Sequence, residues 1–184
     1  MKTPQARLSL SALNRMNREA FERALGGVFE HSPWVAAQAW RRAPFASVAA
    51  LHAAMATAVR AASIQRQLAL IRAHPDLAGK AARAGKMTAH SMAEQSRAGL
   101  DRLNDAEYAR FNQLNAAYRA RFGFPFVIAV RRHTKESLLE AFATRLANSR
   151  AGEIEAALSE IFKIAEMRLD ALVAADERAK DVEG

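Results

Sequence analysis

The sequence predicts an all-α protein: a single-domain bundle of roughly eight to ten helices, with one short extended segment near residues 124–130. Three observations carry this. Alanine dominates the apolar residues while Val and Ile are few, and alanine is the strongest helix former. Apolar side chains recur at three- and four-residue spacing along most of the chain. Ser, Thr, Asp, Gly and Pro punctuate that pattern where helices begin and end.

Residues 11–25 carry Leu13, Met16, Phe21 and Leu25 on one face and stop at Gly26-Gly27. Ser32 followed by Pro33 starts a second helix, because proline in the first turn loses no needed N–H; Pro44 breaks it. Ser47 caps a third, with Val48, Leu51, Met55 and Val59 inward. Ser63 caps a fourth, with Ile64, Leu68 and Ile71 as its stripe, and Pro75 ends it. The residue before a proline is pushed out of the α region. His74 is therefore expected at the helix exit, where its side chain can point into a cleft.

Asp76 is expected to cap a short helix through Arg83, ended by Gly85. Thr88 or Ser91 begins the next, running to about Ala98, with Ser91, Glu94 and Gln95 on one face. Residues 101–123 read as a long amphipathic helix with Tyr108, Phe111, Leu114 and Tyr118 inward and Gly123 as its stop. Residues 123–130, GFPFVIAV, do not read as helix, since they hold Pro125 and β-branched residues. With no evident strand partner, their N–H groups need other acceptors, a bound polar ligand among the candidates. Helices follow over 134–147, with Leu138, Leu139, Phe142 and Leu146, and over 152–175, with Ile154, Leu158, Ile161, Ile164, Ala165, Arg168 and Leu172. No repeat or linker marks a boundary, so residues 1–184 are expected to form one domain, with loose termini at 1–10 and 177–184.

Composition narrows the chemistry. The 184 residues include no cysteine, which excludes disulfides, thiolate nucleophiles and Cys-bound zinc. No run approaches the roughly 20 apolar residues that span a bilayer, and the first residues lack the apolar core of a secretory signal. A cytoplasmic protein with no membrane partner is expected. The formal charge of +8 raises the question of nucleic acid. The basic residues are scattered, however, with Arg41-Arg42 and Arg131-Arg132 as the densest pairs. A solvated basic surface, or a basic pocket for a small anion, fits better, and no nucleic-acid partner is expected.

His74 is the first chemical candidate, as an acid or base at a proline-forced exit. Glu94 is the second: either a solvated helix glutamate or a carboxylate that orients His74, with Ser91 and Gln95 donating to a ligand. The other histidines, His31, His52, His90 and His133, have no metal spacing, and no HExxH, Walker loop, GxGxxG or GxSxG occurs. Arg168 lies on the apolar stripe of the last helix. It needs either an internal glutamate partner or a substrate carboxylate or ureido group for its planar fork. Arg131 is a weaker candidate of the same kind.

The strings FEHSPWVA, LIRAHPDLAGKAA, MTAHSMAEQSRAGLDRL, FNQLNAAYRARFGFPFVIAVR, RLAN and EIFKIAEMRL, in this order, resemble the 2-oxo-4-hydroxy-4-carboxy-5-ureidoimidazoline (OHCU) decarboxylases of the ureide pathway. The resemblance runs from about Leu13 to Leu172. It implies an all-α enzyme, usually a homodimer, that needs no cofactor and releases CO2 from OHCU to give (S)-allantoin. It also implies that His74 is catalytic and that Glu94 lies in the site, where it is expected to orient His74 as the second catalytic residue. Pro75, Ser91, Gln95, the segment with Phe126, Val127 and Ile128, and Arg168 would line the substrate. Arg132-His133 depart from the glycine many relatives carry after the extended segment.

Overall fold

A computed structural model describes residues 7–79 and 86–175. They fall into two compact units, one drawn from Met1–Ala62 with Ala165–Gly184, the other from Ser63–Ile164. Among the described residues there are nine α-helices and one two-stranded sheet. None of these helices is long and apolar enough to cross a membrane.

The first unit contains β1 (Leu8–Ser9), α1 (Leu10–Asn14), α2 (Arg18–Leu25), α3 (Trp34–Trp40) and α4 (Val48–Arg60). Residues 8–10, expected within a loose terminus, are instead tied down. Leu8 and Ser9 pair in parallel with Val173 and Ala174 of β2 (Val173–Ala174), and Leu10 is buried. Residues 11–25 form two helices rather than one. The Asn17 side chain accepts from the Ala20 N–H, so it caps a new helix and competes with continuation of the first. α3 starts at Trp34, with Pro33 rather than Ser32 at the cap position and no side-chain cap, whereas Ser47 caps α4 as expected. Phe21, Leu25, Val35, Leu51, Met55, Val59 and Leu169 are buried, and Phe21 stacks on Phe45.

The second unit begins with α5 (Ile64–Arg72), capped by Ser63. Its buried residues are Leu70 and Ile71, whereas Ile64, expected inward, is 46% exposed. The second half of the helix expected from Asp76 to Arg83 lies outside the described residues; in the first half Leu77 and Ala78 form a turn. α6 (Ala89–Arg97) is capped by Thr88. α7 (Asp105–Phe122) opens with an Asn104–Glu107 capping box and closes on Gly123 at φ 78°, where a side chain would be strained. After the extended segment and a 3-10 turn (Val130–Arg132) come α8 (Lys135–Leu146), capped by Thr134, and α9 (Arg150–Leu172). α9 starts two residues before its expected Gly152, and its last residues, from Ala165, belong to the first unit. An aromatic cluster fills the second unit's core: Tyr118 meets Phe122, Phe124, Phe126 and Phe142, and Phe126 stacks on Phe142 at 3.8 Å.

Candidate active site

Each piece of the site is placed by a local rule of the sequence. α5 ends at Arg72 because Pro75 cannot continue it. His74 lies just beyond, 6% exposed, and its Nδ1–H donates to the Leu70 carbonyl at 2.9 Å. A carbonyl only accepts, so Nδ1 carries the proton and Nε2 is the ring's other acid-base atom. The orienting bond seen here comes from main chain.

The turn after His74 is held from two helices. Gln95 on α6 accepts from the Ala78 N–H at 2.9 Å and donates to the Asp76 carbonyl at 3.2 Å. On α7, Asn115 donates to the Leu77 carbonyl at 2.8 Å and Arg119 pairs with the Asp76 carboxylate at 2.9 Å. These bonds sustain Ala78 at φ 50°, a left-handed conformation that costs a non-glycine residue about 1–2 kcal/mol. Gly79 lacks a side chain because a Cβ there would stand 2.9 Å from the Cβ of Asp76.

Ser91 and Gln95 are buried one turn apart on α6, and Glu94 beside them is partly buried. α6 also packs against the 3-10 turn that ends the extended segment, and Arg72 donates to the Gly123 carbonyl at its start. The HPDL turn, the SxxEQ face and the extended segment therefore belong to one connected assembly within the second unit. Gln95 and Ala78 also wall a cavity of about 430 Å³ with Met87, Met92, Leu100 and Tyr108. Among the expected site residues, only Gln95 lines it.

The extended segment is main chain without a ladder. Phe126, Val127 and Ile128 are at most 5% exposed, and the Phe126 ring is committed to the aromatic core. Among the described residues no acceptor meets the N–H of Phe126, Val127 or Ile128. Buried amides without partners are rare, and these are the donors that a ligand oxygen would satisfy.

Arg168 lies in the first unit, 4% exposed, and donates to Glu30 Oε2 at 3.0 Å and to the Val28 carbonyl at 3.3 Å. The internal glutamate partner is present. Arg131 is exposed. Arg145, which was not among the expected site residues, holds the middle of the extended segment. Its Nη1 donates to the Val127 carbonyl at 2.7 Å, its guanidinium lies 4.4 Å from the Phe126 ring centre, and it pairs with the fully buried Glu153. The available signal was its place three residues after Phe142 on the buried side of α8. Glu160 was also missed; it accepts from the Ala129 N–H at 2.9 Å. Burial pushes its carboxyl up, but hydrogen bonds from Lys163 and the Ala129 N–H, with the charges of Lys163 and Arg145, hold it below its ordinary value.

The second unit is a helical assembly that brings a buried imidazole, a polar helix face and main-chain donors into one connected network. Relatives make this specific. The OHCU decarboxylase family profile matches residues 14–170, and the chain belongs to that family. A 2-oxo-4-hydroxy-4-carboxy-5-ureidoimidazoline decarboxylase of Halalkalicoccus jeotgali is 45% identical over 90% of this chain and 92% of its own. One from Haloferax volcanii is 44% identical over 88% and 94%. The crystal structure of an (S)-allantoin synthase superposes with a TM-score of 0.72 at 34% identity, over 90% of this chain and 54% of that one.

Proposed function

We propose that this protein is a carboxy-lyase that converts OHCU to (S)-allantoin and CO2 in urate degradation, with His74 and Glu94 as its catalytic pair. The observation that carries the assignment of His74 is its buried ring with Nδ1–H engaged by Leu70, which presents Nε2 as the acid-base atom. The substrate's own structure supplies the electron sink. The ring carbon bearing the carboxylate adjoins a C=N carbon. When the carbon–carboxylate bond breaks, CO2 leaves, the electron pair forms a C=C bond and the imine nitrogen takes the charge. The hydroxyl on the first carbon then loses its proton, which the imine nitrogen takes up, and becomes the ring carbonyl, while the neighbouring ureido-bearing carbon gains a second proton.

The protein's part is to hold the anion, exclude water and move those two protons. His74 Nε2 takes or delivers one of them, and a placed acid or base contributes about 10²–10⁴-fold. Delivery from one side makes a single enantiomer. Glu94 sets the charge state around Nε2 and the substrate hydroxyl. Ser91 and Gln95 shape the wall beside Pro75, and the main-chain N–H groups at Val127 and Ile128 take developing negative charge on oxygen. Arg168, fixed by Glu30, is proposed to bind a substrate carboxylate or ureido oxygen. A single domain, a homodimer and a cytoplasmic location go with this reading, on the strength of the family pattern.

Coupling urate oxidase and hydroxyisourate hydrolase to this protein tests it. Circular dichroism should show optically active allantoin forming faster than by spontaneous decay. Racemic product at the spontaneous rate would sink the assignment.

A further inference from the structure

We propose that Arg145 and Glu160 are positioning residues that aim the Ile128 N–H at the substrate by clamping the peptides on both sides of it. The inference rests on the decarboxylase reading and adds to it the two side chains that give the extended segment its direction.

Residues 125–129 have no strand partner among the described residues, so nothing periodic fixes their peptide planes. Two side chains do so instead. Arg145 holds the carbonyl of Val127, which belongs to the same peptide as the Ile128 N–H. In a trans peptide the C=O and N–H point in opposite directions, so fixing one aims the other. Glu160 holds the Ala129 N–H of the next peptide, whose own carbonyl, that of Ile128, accepts from Val130 at 2.9 Å. Both groups of that second peptide are therefore engaged, and of the first peptide only the Ile128 N–H lacks an acceptor among the described residues.

The clamps are themselves anchored. Arg145 is gripped by Glu153, which also accepts from Tyr118 and from Asn148 at 2.8 Å, and Glu160 is gripped by Lys163 at 2.5 Å. A guanidinium on the carbonyl polarises the amide and makes its N–H a stronger donor. This is the arrangement a donor needs when its value lies in not having to reorganise as charge develops.

The test uses two variants at Glu160, because removing Arg145 would strand the buried Glu153. Glu160→Leu removes the acceptor; Glu160→Gln keeps an acceptor oxygen for Ala129. Both are compared with wild type in the coupled decarboxylase assay and by the amide NMR signal of Ile128 during titration with (S)-allantoin. Glu160→Leu should fold, lose about tenfold in kcat with a smaller change in KM, and show an Ile128 signal that no longer responds to allantoin. Glu160→Gln should recover most of both. A folded Glu160→Leu protein with wild-type kcat and an unchanged Ile128 response overturns the clamp while leaving the decarboxylase reading intact. If wild type itself neither turns over OHCU nor shifts Ile128 with allantoin, both fall together.

Discussion

Gln95→Leu probes how the turn after His74 is held, and the structure sets the size of the effect. Gln95 is 6% exposed and makes two bonds to the turn, accepting from the Ala78 N–H and donating to the Asp76 carbonyl. Leucine fills similar volume and makes neither. The Ala78 N–H, buried in a residue 2% exposed, would be stranded at a cost of about 1–3 kcal/mol, and the part-buried Asp76 carbonyl adds about 1 kcal/mol. The left-handed strain at Ala78, about 1–2 kcal/mol, would then lose its main restraint, and the turn would relax. The expected loss is roughly 2–4 kcal/mol, against a typical total of about 5–15 kcal/mol, so the variant still folds. At about 2–4 °C per kcal/mol for a chain of this size, Tm falls by roughly 4–16 °C. Gln95→Glu separates the two bonds: it keeps an acceptor for Ala78 but turns a carboxylate oxygen toward the Asp76 carbonyl, so its deficit should shrink at low pH, where the carboxyl can donate. Thermal unfolding followed by circular dichroism, with turnover measured in parallel, reads all of this. A Gln95→Leu protein within about 0.5 kcal/mol of wild type would show that these bonds do not hold the turn.

Further expectations concern other residues. His74→Asn should fold, yet lose about 10²–10⁴-fold in stereospecific turnover in the coupled assay; full activity would remove His74 from the chemistry. Glu30→Ala leaves the buried Arg168 guanidinium without its glutamate and should cost about 3–5 kcal/mol in chemical denaturation. Gly123→Ala meets no atom within 4 Å, so its cost is purely conformational, about 1 kcal/mol from φ 78°. Burial, then the hydrogen bond to Glu153, raises the Tyr118 phenol above its ordinary 10.0. A raised folded value means that this contribution to stability is complete below pH 10 and is lost as pH climbs above it. Unfolding midpoints measured from pH 8 to 12 should fall at the alkaline end, and less steeply in Tyr118→Phe.

Much of the fold was legible because it is written locally. Ser47, Ser63, Thr88 and Thr134 cap helices where short polar side chains precede apolar periodicity, and Gly123 ends α7 in the left-handed region that glycine enters without strain. The break at Asn17 was missed because an apolar stripe can continue across two helices whose faces happen to align. The inward placing of Ile64 failed for a related reason: periodicity names a face, and only packing decides whether the first turn of that face is covered. The pairing of Leu8–Ser9 with Val173–Ala174 joins segments too distant in sequence and too short to leave a periodic signal.

The site divides along the same line. From residue types and order alone came the imidazole at a proline-forced exit, the Ser91–Gln95 face and the non-helical stretch around Pro125, since each depends on backbone rules acting within a few residues. The tertiary structure decided what those groups do with their hydrogen bonds: Nδ1 of His74 goes to Leu70, the amide of Gln95 to the turn beside it, and the Val127 and Ala129 peptides to Arg145 and Glu160. Those pairings are set by which helices pack together. A hydrogen bond has a reach of about 3 Å and no memory of sequence distance, so no local pattern announces its partner.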